Sequence, residues 1–197
     1  QRFLAQSLKE GKTTLKQINE ATLRILQLKY DLGLFDDPYK FCNADREKNS
    51  ILTAEHRAAA RDVARKSIVL LKNDNALPLK NNQKVALVGP LATAKDDLIG
   101  NWSGAGSGAD GVSLEEGLKA VAASVTTVKG CETEGDARSG FDAAIQAAKA
   151  ADVVVVAIGE RAMMSGEACS RAEIVIPGVQ EDLVMELLKT GKPVVVV

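Results

Sequence analysis

The sequence is poor in the residues on which metal and redox chemistry usually rests. It has three cysteines, Cys42, Cys131 and Cys169, and no two of them stand at C-x-x-C spacing. An odd, widely spread set argues against a zinc site and against a dense disulfide framework, and leaves room for one disulfide at most. The one histidine is His56, between Glu55 and Arg57 in an alanine-rich helical stretch. A solvated helix residue is the plainer reading of it. A Ser-His-Asp relay or an imidazole-based metal site has no second imidazole to draw on. Aromatics make up only 4% of the chain, too few for base-stacking platforms. Neither sign of charge dominates: 25 Lys and Arg stand against 26 Asp and Glu, a net charge of −1. That balance gives no basic footprint for nucleic acid and no polybasic face for anionic lipid. No apolar run approaches the roughly 20 residues needed to cross a bilayer. The opening residues, Gln1-Arg2-Phe3-Leu4-Ala5-Gln6, lack the basic-then-apolar pattern of a secretory leader.

What the chain does have is apolar content, 46% of 197 residues. That is enough for one full domain, or one domain and part of another. Residues 14–32 read as a helix, with Leu15, Ile18, Leu23, Ile25, Leu26 and Leu28 recurring at threes and fours over much of it. Gly33 can stop it, and Asp36-Asp37-Pro38 makes a turn. Residues 41–51 are polar and irregular, a linker by composition. A second helix is expected over 53–71, with Thr53 as its N-cap and Glu55 in its first turn.

Beyond Leu77-Pro78-Leu79 the rhythm changes. Short valine-rich runs at 84–88, 125–128, 152–158 and 193–197 alternate with helical segments at 113–122, 141–150 and 179–188. The apolar runs are continuous, as in strands buried on both faces of a parallel sheet between helix layers. The expected fold over 80–197 is therefore α/β, a three-layer α/β/α sandwich with a mostly parallel sheet. Residues 39–79 are read as linker and connecting helix. The chain stops at Val197 within an apolar strand, and its first helix has nothing N-terminal to pack on. Both ends look cut, so a C-terminally truncated fragment of a longer protein is expected.

In open α/β sheets ligands sit beyond the carboxyl ends of the strands. Two loops qualify. One follows Val88 and runs into Trp102-Ser103-Gly104-Ala105-Gly106-Ser107-Gly108. A dinucleotide fingerprint must come directly off the first strand and open a helix. Here Gly89-Pro90 takes that turn, and Ala109 stands where a third glycine would be required. The stretch is either a mobile surface loop or the lining of a cleft in which Trp102 offers an apolar face to a sugar ring. The second loop follows Ile158 and carries Glu160, Arg161, Glu167 and Arg171. Loop charges are usually just solvated. A carboxylate held partly out of water at this end of a buried strand is, however, well suited to proton donation, and Arg171 is near enough in sequence to orient one.

Three segments, in order, resemble glycoside hydrolase family 3. Arg24-Ile25-Leu26 through Lys29, then Leu32-Gly33-Leu34-Phe35-Asp36-Asp37-Pro38, is similar to the closing helix and exit of that family's N-terminal (β/α)8 domain. Ser67-Ile68-Val69-Leu70-Leu71-Lys72-Asn73, then Leu77-Pro78-Leu79, resembles the entry to its second domain. Ser165-Gly166-Glu167-Ala168-Cys169-Ser170-Arg171, then Ile174-Val175-Ile176-Pro177-Gly178-Val179-Gln180, resembles its acid/base loop and the helix start that follows. Two positions depart from the pattern: Ser170, where many members carry Asp, and Ala168, where Gly is common.

The resemblance implies a retaining β-glucosidase in which an Asp of the first domain attacks the anomeric carbon. Glu167 would be the acid/base, and Trp102 and Arg171 are expected to bind substrate. On this reading residues 1–38 are the end of a (β/α)8 barrel whose remainder lies upstream, together with the nucleophile. The fragment alone would be inactive. The implied ligand is a β-linked oligosaccharide or glycoside, with no cofactor and no metal, in a periplasmic or secreted setting. A β-xylosidase of the same family, or a non-catalytic flavodoxin-like binding module, are the alternatives.

Overall fold

The computed structural model describes residues 3–197. The chain divides into two compact units, one ending at Val69 and one spanning Leu70–Val197.

The first unit is helical: α1 (Leu4–Lys9), α2 (Leu15–Asp31), α3 (Ala44–Ser50) and α4 (Ala54–Ser67). Helix α2 begins in a reciprocal capping box. Thr14 Oγ1 accepts from Gln17 N at 3.2 Å, and Gln17 Oε1 accepts from Thr14 N at 2.9 Å, so two of the unpaired donors at the helix start are satisfied. None of the four helices contains a buried residue. Leu15, Leu23, Ile25 and Leu28 of α2 are each more than half exposed.

Two sequence expectations need correction here. The 41–51 segment is not an irregular linker but holds α3. Asn43 Oδ1 caps it by accepting from Arg46 N at 2.7 Å, and Asp45 and Glu47 lie in its first turn, where the helix dipole favours acidic groups. Helix α4 begins at the expected Thr53 cap but ends at Ser67, because Ile68 turns to extended backbone (φ −72°, ψ 126°).

The second unit is the expected three-layer sandwich. Strands β1 (Lys84–Val88), β2 (Ser124–Val128), β3 (Val153–Val156) and β4 (Val194–Val196) form one sheet in the order β2-β1-β3-β4, with every pair parallel. Helix α5 (Leu114–Lys119) lies on one face, where Leu114 and Leu118 pack with Val85, Leu87, Val153 and Val155. Helices α6 (Phe141–Ala150) and α7 (Gln180–Leu188) cover the other, where Phe141, Ala144, Ala148, Leu183 and Leu187 meet Ala86, Val88, Val154 and Val156. Successive residues of β1 and β3 thus point into opposite layers, and both layers are apolar. Each fully buried Val or Leu contributes roughly 1.5–3 kcal/mol relative to exposure. The helices divide between the faces because the chain steps one way from β1 to β2 and the other way to β3 and β4. With one crossover handedness, reversing the step reverses the face.

That reversal falls between β1 and β3. The carboxyl ends of these neighbouring strands lead into the two loops singled out above, at the switch point where such sheets bind ligands. The backbones close tightly there. Gly89 has φ +121°, and a Cβ on it would collide with the Ala157 carbonyl oxygen, so the crossing requires glycine. All three cysteines are free: Cys42 exposed, Cys131 buried and Cys169 partly buried. Burial pushes the Cys131 thiol above its ordinary value.

Candidate active site

The first loop leaves β1 through Gly89, makes a 3₁₀ turn at Asp96–Ile99, passes Trp102 and the glycine-rich stretch, and ends at Ser113, the N-cap of α5. The second leaves β3, makes a 3₁₀ turn at Ala162–Met164, passes Glu167, and enters α7 at Gln180.

The roots of the second loop are fixed by Gln180, which is fully buried. Its Oε1 accepts from Gly159 N at 2.9 Å. Its Nε2 lies 2.9 Å from Gly159 O, 2.9 Å from Pro177 O and 3.0 Å from Thr133 O. One amide therefore ties the start of the loop to its end. Farther out the two loops hold each other. Asp97 Oδ1 accepts from Ala162 N at 2.8 Å and lies 3.9 Å from Arg161 Nε. Asn101 Nδ2 donates to the Ser165 carbonyl.

The charged side chains sort themselves. Arg171 Nε stands 2.9 Å from Glu160 Oε1, with its N–H directed off the line, so the contact is an ion pair rather than a hydrogen bond. Arg171 Nη2 donates to Val175 O at 3.0 Å. Sequence proximity left open which of the two carboxylates Arg171 would meet, and the structure pairs its guanidinium with Glu160. Glu167 is exposed, with no salt bridge or side-chain hydrogen bond among the described residues. It sits on a turn closed by Cys169 N donating to Gly166 O at 3.2 Å, and the next residue, Ala168, holds φ at 60°. Trp102 is 70% exposed and directly follows Asn101, so its loop is joined to the Glu167 loop one residue away. Among the described residues no three His, Cys, Asp or Glu side chains converge as a metal site.

Asp97, Asn101 and Gln180 were not singled out by sequence reasoning. Gln180 was visible only as the last residue of a motif. Nothing in the spacing of Asp97 or Asn101 points to partners about 65 positions away.

Comparison with known proteins supplies the family. The family model described as the glycosyl hydrolase family 3 C-terminal domain matches residues 68–197. The chain is 40% identical, over its whole length, to a periplasmic beta-glucosidase of Salmonella typhimurium, and covers 29% of that protein. It is 39% identical over 99% of its length to a beta-xylosidase of Formosa agariphila, covering 28% of it. Among solved structures, the beta-glucosidase of Listeria innocua in complex with gluconolactone superposes with a TM-score of 0.79 at 43% identity, covering 98% of this chain and 26% of that one. The chain therefore spans less than a third of the length of these relatives. With the family model covering most of the chain and both loops in the matched region, this chain belongs to glycosyl hydrolase family 3.

Proposed function

We propose that this chain supplies the acid/base carboxylate, Glu167, of a retaining, exo-acting β-glucosidase that removes terminal β-D-glucosyl residues from oligosaccharides or glycosides. On this reading residues 1–38 close an N-terminal (β/α)8 domain, 39–79 connect the domains, and 80–197 belong to the sandwich domain. An Asp of the barrel attacks the anomeric carbon and becomes glycosylated while Glu167 gives its proton to the departing oxygen. Glu167 carboxylate then takes a proton from water as that water attacks the anomeric carbon and frees the nucleophile, which returns Glu167 to its acid form. The two carboxyl groups of such a pair stand about 5–5.5 Å apart. The exposed Trp102 is suited to stack on a sugar ring. Because the barrel half of the site is not in this chain, the chain alone should not hydrolyse glycosides.

The observation that carries the choice of Glu167 is the fate of its competitor. Glu160 is held in an ion pair with Arg171, whereas Glu167 is exposed and has no such partner among the described residues. Arg171, paired with Glu160 in the same loop, and Trp102 are the proposed substrate-binding residues of this chain. The beta-glucosidases among the relatives favour a glucoside; the beta-xylosidase from Formosa keeps a β-xyloside as the second reading. The Salmonella relative's name favours a periplasmic or secreted setting.

The test uses an enzyme of the relatives' full length that carries this chain, assayed on matched glucosides and xylosides. Dinitrophenolate leaves without protonation, so Glu167→Gln should change kcat/KM little on its glycoside. On an alkyl glycoside the loss should be the roughly 10²–10⁴-fold expected when general acid catalysis is removed. Azide should accelerate turnover of the activated substrate, because an anion attacks the glycosyl-enzyme without base help. If Glu160→Gln behaves this way and Glu167→Gln matches the parent, the assignment is wrong.

A further inference from the structure

A general acid works only when its proton is held within hydrogen-bond reach of the leaving oxygen, and a displacement of about 1 Å can cost about 10²-fold in rate. The loop that carries Glu167 has little regular structure of its own beyond the Ala162–Met164 turn, and Glu167 itself has no side-chain partner among the described residues. Its placement must come from elsewhere.

Two side chains of the neighbouring loop reach it. Asp97, a partly buried residue, accepts from Ala162 N at 2.8 Å. Asn101 donates to the carbonyl of Ser165, and its carboxamide lies against Gly166, where a Cβ would collide with it. Gly166 has φ +112°, so this peptide combines a backbone that favours glycine with contact from the Asn101 amide. Ala162 and Ser165 are the fifth and second residues before Glu167. Both anchors act on backbone, so they fix the path of the chain and leave the carboxylate free.

We propose that Asp97 and Asn101 are positioning residues for Glu167, clamping its loop so that the carboxyl reaches the leaving oxygen. The inference rests on Glu167 being the acid/base. It predicts a loss that depends on the leaving group, which a general weakening of the fold does not.

The experiment measures kcat/KM on dinitrophenyl and alkyl glucosides for Asp97→Ala, Asp97→Asn and Asn101→Ala, each alone and combined with Glu167→Gln, in the full-length enzyme. Asp97→Ala and Asn101→Ala should lower the alkyl glucoside value about 10- to 100-fold and the dinitrophenyl value little. Asp97→Asn keeps an oxygen to accept from Ala162 N and should recover most of the loss. Combined with Glu167→Gln, neither alanine should add to the alkyl glucoside defect, because residues acting through one group are not additive. Equal losses on both substrates, or full additivity with Glu167→Gln, would overturn the clamp. If Asp97→Ala lowers both because it unfolds, Asn101→Ala, at a partly exposed residue, decides. If Glu167→Gln itself fails to separate the substrates, the acid/base reading falls and takes this inference with it. If Glu167→Gln separates them and the clamp variants do not, only the clamp falls.

Discussion

Ala168 holds φ at 60° in the turn beside Glu167. For an L-residue with a Cβ this conformation costs roughly 1–2 kcal/mol. Glycine removes that strain but returns part of the gain through a more flexible unfolded chain, about 0.4–1 kcal/mol. Ala168→Gly should therefore stabilise the second unit by up to about 1.6 kcal/mol, read as a higher thermal unfolding midpoint. An unchanged or lower midpoint would show that the turn absorbs the alanine without strain. The departure from the family at this position was legible in the sequence, but the positive φ was not. Glu167 and Trp102 could be proposed from loop position and resemblance. Which of the loop's two carboxylates Arg171 would meet was not legible, because a spacing of four makes neighbours on a helix and this stretch is not helical. Its loop path instead brings Arg171 to Glu160, eleven residues earlier.

Helix α7 does more than cover the sheet, because its first residue is the Gln180 pin. Replacing Gln180 with leucine keeps the volume roughly but leaves Gly159 N without its partner, along with carbonyls of Gly159, Pro177 and Thr133. Orphaned buried groups cost about 1–3 kcal/mol each, though a two-donor amide serves three carbonyls only by sharing. A net loss of about 2–4 kcal/mol is expected for Gln180→Leu, measured from the urea midpoint by far-ultraviolet circular dichroism. A midpoint equal to the parent's would mean the network adds no net stability. Among the elements, α6 was readable to the residue, because Phe141, Ala144 and Ala148 recur on one face and a valine run follows. Helix α3 was missed although Asn43, Asp45 and Glu47 spell a helix start. Its seven residues hold no apolar stripe, so only the cap could have revealed it. The strand expected over 152–158 is regular only at Val153–Val156, because Asp152 belongs to the strand's entry and Ala157 already serves the crossing at Gly89.

The two units differ in kind. Val85–Val88 and Val153–Val156 are buried, whereas helices α1–α4 contain no buried residue. Hydrogen exchange on this chain should find the amides of β1 and β3 the slowest and those of α2 and α4 far faster, since protection follows the cost of local opening. Protection of α2 equal to that of β3 would contradict this. The sandwich class was legible because strands buried on both faces show as unbroken apolar runs. The order β2-β1-β3-β4 was not, since other orders of buried parallel strands would produce the same runs. The Asp97 and Asn101 contacts depend on that order, which sets β1 beside β3. The valine runs have another consequence before the fold is complete. Val153–Val156, extended by Ala157 and Ile158, is a short, uncharged, β-branched segment with no proline, the composition of self-pairing cross-β stretches. The charges nearest it are Asp152 on one side and Glu160 on the other, and such flanking charges act as gatekeepers against aggregation. In the folded chain Asp152 Oδ2 accepts from Lys84 N at 2.8 Å; in the nascent chain the same carboxylate would be a guard against self-association.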